Sequence, residues 1–284
     1  MQIIDNQKDF DKICKKLQDQ QVLFMDTEFY RRRTYYARLS IVQIAYMENR
    51  IIIDALSGID ITGLKDILVN ENIVKVFHAP DQDFDIFLHL FGELPKNIFD
   101  TQIAAGVIGL DDVMGYGRLC KALLHINLDK TMQKANWLLR PLTKELIDYA
   151  IKDVEHLIPL HRELSKTMSD RKLWNTYKAR SQRLSDVGNY KLSPERIMKR
   201  MNLQGRSSRF CKNLLHFIQL REECAQVLDI PRSFCASDRE LMQVCESLPT
   251  TIQALSRLQI QGKPIAKKKF RDKLLDLCAA LQEF

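Results

Sequence analysis

The sequence lacks any long apolar stretch, since no run of 18 or more apolar residues occurs in its 284 positions. A membrane-spanning helix needs about 20 such residues, so the sequence argues against a helical membrane protein. The first ten residues, MQIIDNQKDF, have neither the basic start nor the apolar centre of a secretory signal peptide. We therefore expect a cytoplasmic protein with no membrane partner.

Paired cysteine motifs are also missing. The chain contains seven cysteines, an odd number, and no two of them have the C-x-x-C spacing of zinc sites and redox motifs. Most lie in apolar, helix-like surroundings, where a free cysteine behaves as a small core residue. The sequence thus favours buried, reduced thiols over a disulfide framework or a zinc site.

Charge is present but unevenly distributed along the chain. Residues 1–170 contain 21 Lys and Arg against 25 Asp and Glu, whereas residues 171–284 contain 22 against 11. The formal net charge of +7 therefore combines a mildly acidic first part with a strongly basic second part. Such a split indicates two roles, with a polyanion as partner of the second part. A basic face that is merely solvated is the alternative.

Secondary-structure signals divide the chain at a similar point. Four runs rich in β-branched and aromatic residues predict strands at Val22–Phe29, Leu39–Tyr46, Ile51–Asp54 and Ile73–His78. Helical periods follow them, including one that begins near Thr143, and beyond about residue 165 only helical signals remain. We expect an α/β domain with a mixed sheet at residues 1–168, a helical linker at 169–205 and a small all-α domain at 206–284.

Two carboxylates interrupt the first predicted strand. Asp26 and Glu28 stand two residues apart in the apolar run FMDTEF, so their side chains project from the same face. Burying two like charges side by side is costly, and a divalent cation would compensate them. For this pair taken alone, a strand end that emerges into solvent is the alternative.

Further polar residues follow along the same α/β region. Asp83 lies in the first turn of the helix after the strand that ends at His78, where α/β folds collect functional groups. A carboxylate at that position can also cap a helix or offset its dipole. Tyr149 and Asp153 are four residues apart on the helix that begins near Thr143, so they share a face. Together with the first pair, they predict one active site.

These residues lie in segments that resemble a known enzyme family. DTEF at 26–29, HAPDQDF at 78–84 and YAIKDV at 149–154 resemble the three exonuclease motifs of the tyrosine-bearing subgroup of the DEDD superfamily. Longer stretches, including FMDTEFYRRRTYYARLSIVQIA and WLLRPLTKELIDYAIKDVEHLIPL, resemble ribonuclease D. One departure is visible, because Asn136 precedes Trp137 where many relatives have aspartate.

The resemblance implies a ribonuclease H-like fold and a metal-dependent 3′→5′ exoribonuclease that releases 5′-mononucleotides. It further implies a monomeric enzyme that trims tRNA precursors and other structured RNAs at their 3′ ends. Two alternatives stay open: a DNA 3′→5′ exonuclease with the same four carboxylates, and a nuclease-derived RNA-binding scaffold without catalysis.

The resemblance also implies a role for each residue of the site. Asp26 would bridge two divalent cations, Glu28 and Asp153 would complete the nucleophile-side site, and Asp83 would hold the second cation. All four ligands are hard oxygens, which suits Mg²⁺ or Mn²⁺ rather than zinc. Tyr149 would orient the attacking water.

Other residues are candidate contacts to RNA, each with a structural alternative. Arg31 and Tyr35 lie after the first motif in a run that also contains Arg32, Arg33, Tyr36 and Arg38, and the alternative is a solvated loop. His78 either touches substrate or closes the strand end. Trp137 and Arg140 precede the Tyr149 helix, where a packed tryptophan is the alternative to stacking on a terminal base. Asp100 resembles a family position that caps a helix.

Residues from about Arg206 to Phe284 resemble an HRDC domain, the helical module that follows the nuclease in ribonuclease D. The start of its last helix is crowded with basic residues, namely Lys267, Lys268, Lys269, Arg271 and Lys273. We expect them to bind phosphates by charge, with a solvated helix end as the alternative.

Overall fold

The computed structural model describes residues 1–128, 135–190, 193–260 and 262–282. The chain divides into an α/β unit, Met1–Tyr30 with Arg38–Lys191, and a helical unit, Arg31–Ala37 with Leu192–Phe284. This division differs from the expected one at two places. The first part of the expected linker belongs to the α/β unit, and the loop Arg31–Ala37 belongs to the helical unit.

A six-stranded sheet forms the centre of the α/β unit, in the order β1-β4-β3-β2-β5-β6. Its strands are β1 (Gln2–Ile4), β2 (Val22–Tyr30), β3 (Arg38–Tyr46), β4 (Asn49–Asp54), β5 (Val74–Phe77) and β6 (Ile98–Asp100). β3 runs antiparallel to β2 and β4, whereas the other neighbouring strands pair in parallel. The mixed sheet expected from the sequence is confirmed. β1 and β6 were not predicted because three residues are too few to produce a periodic signal.

Helices cover both faces of this sheet. They are α1 (Gln7–Gln18), α2 (Gly63–Val69), α3 (Asp81–Phe91), α4 (Thr101–Val107), α5 (Tyr116–Leu124), α6 (Lys144–Glu155), α7 (Leu157–Asp170) and α8 (Trp174–Ser181). α3 ends as its sequence predicts, with Gly92 in the left-handed conformation at φ 74° and its N–H bonded to the carbonyl of Leu88.

Helix α6 supplies two of the candidate site residues, and its local sequence determines where it begins. The Thr143 side chain accepts a hydrogen bond from the N–H of Leu146, which satisfies a free donor of the first turn. The buried side chains of α6 face the sheet, where Leu146 and Ala150 share a core cluster with Ile41, Ile52 and Trp137. Burial of this face sets the rotation of α6 about its axis.

Residues beyond 168 stay with the α/β unit because of Tyr177 on α8. Its ring is 5 % exposed and stacks on Phe99 with centroids 5.1 Å apart. Its hydroxyl oxygen accepts a hydrogen bond of 2.7 Å from the backbone N–H of Asp100. This anchoring holds the first part of the predicted linker against the sheet.

The helical unit contains α9 (Pro194–Met198), α10 (Ser208–Leu228), α11 (Arg232–Cys235), α12 (Asp238–Ser247), α13 (Ile252–Ser256) and α14 (Lys268–Gln282). Four of its cysteines lie in its apolar core, and all seven cysteines of the chain are free thiols. No helix within the described ranges is both long and apolar enough to cross a membrane.

The loop Arg31–Ala37 is held within the helical unit by hydrogen bonds to α10 and its end. The Tyr35 hydroxyl donates to Glu222 at 2.9 Å and accepts from Gln226 at 3.1 Å. The backbone N–H groups of Tyr35 and Tyr36 both donate to Asp229, at 3.0 and 3.2 Å. The loop between β2 and β3 is therefore an ordered part of the helical unit.

Candidate active site

A cleft of about 410 Å³ opens in the α/β unit where β2 extends beyond β5. All five residues proposed for the chemistry line it, namely Asp26, Glu28, Asp83, Tyr149 and Asp153. They come from three elements, β2, α3 and α6, that lie far apart in the chain. The fold thus brings together residues that the sequence could only place in order.

The position of Asp26 and Glu28 follows from strand pairing. β5 pairs with β2 only from Val22 to Phe24, so the rest of β2 faces the cleft on that side. On its other side β2 stays paired with β3 through Glu28, and the register then shifts between Glu28 and Phe29. Such irregularities are common beside active sites, where they end the pairing or redirect a side chain. The two carboxylates therefore project from a rigid central strand.

A constrained turn places Asp83 in the first turn of α3. Ala79, just before this helix, has a φ of 52°, a conformation that L-residues other than Asn and Asp seldom adopt. The carboxylate of Asp100 stabilises it by accepting the Ala79 N–H at 3.0 Å, and it also caps α4 through Gln102 at 2.8 Å. The predicted capping role of Asp100 is thus seen, together with a second role in shaping the turn before Asp83.

Thr27 is a site residue that sequence reasoning missed. Its side chain is 5 % exposed, and its hydroxyl donates a hydrogen bond to the carboxylate of Asp83, itself 7 % exposed. Thr27 stands between Asp26 and Glu28, so its side chain leaves the strand from the opposite face. A small hydroxyl between two acidic residues of a strand was the available signal.

Burial and mutual repulsion dominate the electrostatics of the site. Burial, followed by repulsion from Asp83, Asp153 and Glu28, raises the pKa of Asp26 well above its usual value. Burial and the charges of Asp153 and Asp83 raise the pKa of Glu28 to about 9. Burial also raises the pKa values of Asp83 and Asp153 to about 7, against hydrogen bonds from Thr27 and Tyr149.

This donor set fits a divalent cation. Among the described residues, no group of three or more His, Cys, Asp or Glu side chains is already arranged to enclose a metal ion. Even so, four carboxylates line one cleft, and no cationic side chain in the described part of the chain is among the causes that shift the pKa of Asp26, Glu28 or Asp153. A divalent cation would remove the repulsion that raises these pKa values, and carboxylate oxygens are the ligands that Mg²⁺ and Mn²⁺ prefer.

Tyr149 is suited to orienting a group rather than to accepting a proton. Burial and the charges of Asp153, Glu28 and Asp26 raise the pKa of its phenol above the usual value. The phenol therefore keeps its proton near neutral pH, and its hydroxyl is a hydrogen-bond donor beside the Asp153 carboxylate.

His78 also lines the cleft, next to Tyr116 on α5. Its Nδ1 atom lies 2.9 Å from the hydroxyl of Thr101, and its ring centroid is 5.3 Å from that of Tyr116. Burial lowers the pKa of the imidazole to about 4, so the ring is neutral at physiological pH. The position is compatible with both expectations for His78, a substrate contact and a structural role.

The surroundings of Trp137 and Arg140 favour the structural alternative for both. Trp137 is 2 % exposed and packs beneath α6, so its ring faces are not available for stacking on a base. The Arg140 guanidinium pairs with both carboxylate oxygens of Asp54, at 2.6 and 2.7 Å, and also donates to the hydroxyl of Ser40 at 3.0 Å. These contacts fasten the segment before α6 to the sheet.

Asn136 makes a hydrogen bond that an aspartate at the same position could also make. Its side-chain oxygen accepts a hydrogen bond of 3.2 Å from the backbone N–H of Leu138. A carboxylate at this position would accept the same bond. The departure from the family pattern therefore leaves this turn intact.

The remaining candidate RNA contacts belong to the helical unit. The Tyr35 hydroxyl is hydrogen-bonded to Glu222 and Gln226, and Arg31 lies in the same loop. Lys267, Lys268 and Lys269 are exposed at the start of α14, and the Lys269 ammonium lies 5.7 Å from the Phe270 ring centroid. None of these residues lines the cleft.

Comparison with known proteins agrees with this arrangement. A family model described as 3′-5′ exonuclease matches residues 1–169, and one described as HRDC domain matches residues 216–278. Ribonuclease D of Gluconacetobacter diazotrophicus is 33% identical over 279 residues, which cover 98% of this chain and 71% of that protein. Ribonuclease D of Zymomonas mobilis is 38% identical over 231 residues, 81% of this chain and 59% of that protein.

Among solved structures, the crystal structure of Escherichia coli RNase D, an exoribonuclease involved in structured RNA processing, matches with a TM-score of 0.88 and 28% identity. The match covers 99% of this chain and 75% of that chain. An exonuclease family match over more than half of the chain, together with relatives above 30% identity, decides the classification. The chain belongs to the ribonuclease D family of 3′-5′ exoribonucleases.

Proposed function

We propose that this exoribonuclease shortens structured RNAs from their 3′ ends, with tRNA precursors as its foremost substrates. The observation that carries the proposal is the single cleft lined by Asp26, Glu28, Asp83, Tyr149 and Asp153. The RNA class rests on the relatives, because the cleft residues contact a phosphodiester and the nearest nucleotides, which all RNAs share.

We further propose that the four carboxylates hold two divalent cations, Mg²⁺ or Mn²⁺. Asp26, on which the charges of Asp83, Asp153 and Glu28 all act, would bridge both cations, with Glu28 and Asp153 completing one site and Asp83 holding the other. Bound there, the two cations would stabilise the attacking and leaving oxygens of an in-line phosphoryl displacement. Burial of these carboxylates and the repulsion among them, which together raise the pKa values of Asp26 and Glu28, support the assignment.

The chain's own residues then orient the reaction. Tyr149 keeps its proton and donates a hydrogen bond that aligns the attacking water for displacement at the terminal phosphodiester. Thr27 fixes the rotamer of Asp83, and Asp100 fixes the turn that precedes it. Cleavage at the last bond releases a 5′-mononucleotide and leaves a new 3′ hydroxyl for the next cycle.

The helical unit is proposed to supply affinity for the body of the RNA. Its exposed Lys267, Lys268 and Lys269 would contact phosphates, and each such contact adds a salt-dependent increment to binding. We also propose that the protein is a monomer in the cytoplasm. Light scattering on the purified protein measures its molar mass and so tests the monomeric state.

The decisive experiment compares RNA and DNA of the same sequence. Oligomers labelled at the 5′ end are incubated with the protein in Mg²⁺, in Mn²⁺ and in EDTA. A ladder that shortens from the 3′ end of RNA in either metal, and its absence in EDTA, is the expected result.

Two other outcomes would overturn the proposal. Faster shortening of DNA than of RNA would favour the DNA exonuclease. No shortening of either polymer by the folded protein, with RNA binding retained, would favour a scaffold without catalysis. A tRNA precursor with a 3′ extension, compared with a short single strand, then tests the proposed substrate through its KM.

A further inference from the structure

Gln43 on β3 is a buried polar residue that the proposed chemistry does not use. Its side chain is 0 % exposed, and neither its oxygen nor its nitrogen has a hydrogen-bond partner among the described residues. Leaving a buried amide unpaired costs about 1–3 kcal/mol for each unsatisfied group. A buried glutamine is therefore expected to have hydrogen-bond partners for its amide.

Strand register places Gln43 beside the site. Gln43 is paired directly with Asp26 across the antiparallel β2 and β3, so both side chains leave the same face of the sheet. Residues opposite each other in such a pair have Cβ atoms about 4.5–5.5 Å apart, a distance that glutamine and aspartate side chains together can span. The amide N–H of Gln43 is thus within reach of the Asp26 carboxylate.

A second unpaired polar atom lies over the same patch of sheet. The indole N–H of Trp137 is buried without a hydrogen-bond partner among the described residues. Trp137 packs in one cluster with Ile41 and Ile52. Ile41 precedes Gln43 by two residues on the same face, and Ile52 is the direct partner of Gln43 on β4.

The donors and acceptors of these groups are complementary. The indole offers one donor, the glutamine amide an acceptor oxygen and an NH₂ group with two donors, and the carboxylate of Asp26 an acceptor. A chain from Trp137 through Gln43 to Asp26 would pair the indole N–H, the amide oxygen and one amide N–H. The centroid of the Trp137 ring also lies 6.1 Å from that of the Tyr149 ring, so the indole is close to a second residue of the proposed site.

We infer that Gln43 is a positioning residue, which accepts the indole N–H of Trp137 and donates its own amide N–H to the carboxylate of Asp26. This inference rests on the proposed function, because it concerns the ligand that would bridge the two cations. A hydrogen bond from outside fixes the orientation of a metal ligand, and losing such a partner lowers metal affinity about 10–100-fold.

The test measures Mn²⁺ binding by calorimetry and thermal unfolding with and without Mn²⁺. Gln43→Met keeps the length of the side chain and removes its polar atoms, and Gln43→Leu is a second variant in case the first does not fold. We expect Mn²⁺ affinity to fall about 10–100-fold. The rise in unfolding midpoint that Mn²⁺ produces should be smaller for the variant than for the unmodified protein, because a ligand that binds the folded state less tightly stabilises it less.

Gln243 offers a matched control in the helical unit. Its partly buried side chain also has an oxygen without a hydrogen-bond partner among the described residues. Gln243→Met should bind Mn²⁺ as the unmodified protein does. A fall in its affinity equal to that of Gln43→Met would mean that the loss is not specific to the cleft and would overturn the inference.

Trp137→Phe tests the other half of the chain, since it keeps an aromatic ring and removes only the indole N–H donor. It should weaken Mn²⁺ binding less than Gln43→Met does, and it should cause no further loss in the Gln43→Met background. An equal loss in both backgrounds would overturn the link between the indole and the amide.

The outcomes separate this inference from the proposed function. If the unmodified protein binds Mn²⁺ and shortens RNA while Gln43→Met binds Mn²⁺ with unchanged affinity, the inference fails and the proposed function stands. If the variant is less stable both with and without metal at unchanged affinity, Gln43 is a structural core residue and the inference also fails. If the unmodified protein binds no Mn²⁺, the proposed function itself fails.

Discussion

The α/β unit and the helical unit differ in whether their buried charged side chains are paired with opposite charges. In the α/β unit, the carboxylates of Asp26, Glu28 and Asp153 repel one another, and no cationic side chain offsets them within the residues that the structure describes. In the helical unit, buried Glu222 contacts Arg221 at 3.4 Å and Arg232 at 3.1 Å, and it accepts the Tyr35 hydroxyl. Ion pairs such as those of Glu222 compensate buried charges without any ligand. Mutually repelling carboxylates, as in the cleft, destabilise the folded state unless a ligand compensates their charge.

This comparison predicts opposite stability effects for removing a buried charge. In the helical unit a buried charge belongs to a group of ion pairs, so its removal leaves a partner without its counter-charge. In the cleft a charge is repelled by its neighbours, so its removal relieves the folded state while destroying the site.

The largest effect is expected for Asp26→Asn. Turnover on RNA should be nearly abolished, because the ligand proposed to bridge both cations loses its charge. The metal-free variant should unfold at a higher temperature than the unmodified protein, because one of the mutually repelling carboxylates is gone. Single-turnover kinetics and calorimetry in EDTA measure the two quantities.

Asp60→Asn is the control for this change, since Asp60 lies exposed in the same unit and its side chain accepts the N–H of Thr62. Turnover and stability should stay close to those of the unmodified protein. Normal turnover in folded Asp26→Asn would rule out the assignment of Asp26 as the bridging ligand.

Tyr149→Phe should lower turnover on the order of 10²–10⁴-fold while metal binding survives, because only a positioned hydroxyl is lost. Rapid-quench kinetics and Mn²⁺ titration measure the two effects. Tyr190→Phe, which removes a hydroxyl that donates to Leu184 elsewhere in this unit, should leave turnover unchanged. Loss of metal binding in Tyr149→Phe would contradict a purely orienting role.

Arg221→Met should destabilise the helical unit by about 3–5 kcal/mol, because Glu222 and Asp238 lose a buried cationic partner. Urea unfolding followed by circular dichroism measures the loss. Lys273→Met, which breaks the exposed pair with Glu223, is the control and should cost at most about 1 kcal/mol. Equal effects of the two substitutions would mean that burial does not distinguish these ion pairs.

The pH dependence of stability should differ with and without metal. The pKa values of Glu28, at about 9, and of Asp153, at about 7, lie above their usual values, so the folded protein holds protons that the unfolded chain releases. Metal-free stability should therefore be greatest at low pH and fall as pH rises through 7 and 9. Metal ligands must be deprotonated, so the stabilisation by Mg²⁺ should grow over the same range.

Thermal unfolding from pH 5 to 9.5, in EDTA and in Mg²⁺, measures this dependence. Asp153→Asn should flatten the metal-free profile, because it removes one of the protons that the folded state retains. A metal-free stability that increases with pH would contradict the unpaired character of the cleft carboxylates.

The smallest effect is expected for replacing Lys267, Lys268 and Lys269 together by alanine. Turnover on short single-stranded RNA should not change, whereas the KM for a tRNA precursor should rise. The logarithmic dependence of binding on salt should become shallower by about 0.7–0.9 for each lost phosphate contact. An unchanged slope would mean that this basic end of α14 is a solvated surface.

Much of the α/β unit was predictable, because its strands and helices carry strong local signals. The four predicted strands match β2, β3, β4 and β5 within two residues at each end. The helix with Tyr149 begins next to Thr143, as predicted, and Thr143 caps it. β1, β6, α1 and α2 were not foreseen, since the strands are short and the helices lie among weaker patterns.

The two compact units of the structure divide the chain inside the predicted linker at 169–205, about twenty residues beyond the change in charge. Tyr177 anchors α8 to Phe99 and Asp100, which keeps residues 169–191 with the sheet. The loop Arg31–Ala37 joins the helical unit through Tyr35, so a chain cut after residue 191 would remove the partners of that loop. Neither contact is visible in sequence, because each joins residues more than 70 positions apart.

The class of chemistry was predictable from sequence, because the motifs around the site residues resemble those of an exonuclease family. The spacing of Asp26 with Glu28 and of Tyr149 with Asp153 follows from strand and helix periodicity, and periodicity is a local property. Which residues surround these groups depends on the tertiary structure. It buried Trp137, paired Arg140 with Asp54, brought Thr27 to Asp83 and placed Gln43 opposite Asp26. Register and burial arise from the packing of the whole unit, so no local pattern could specify them.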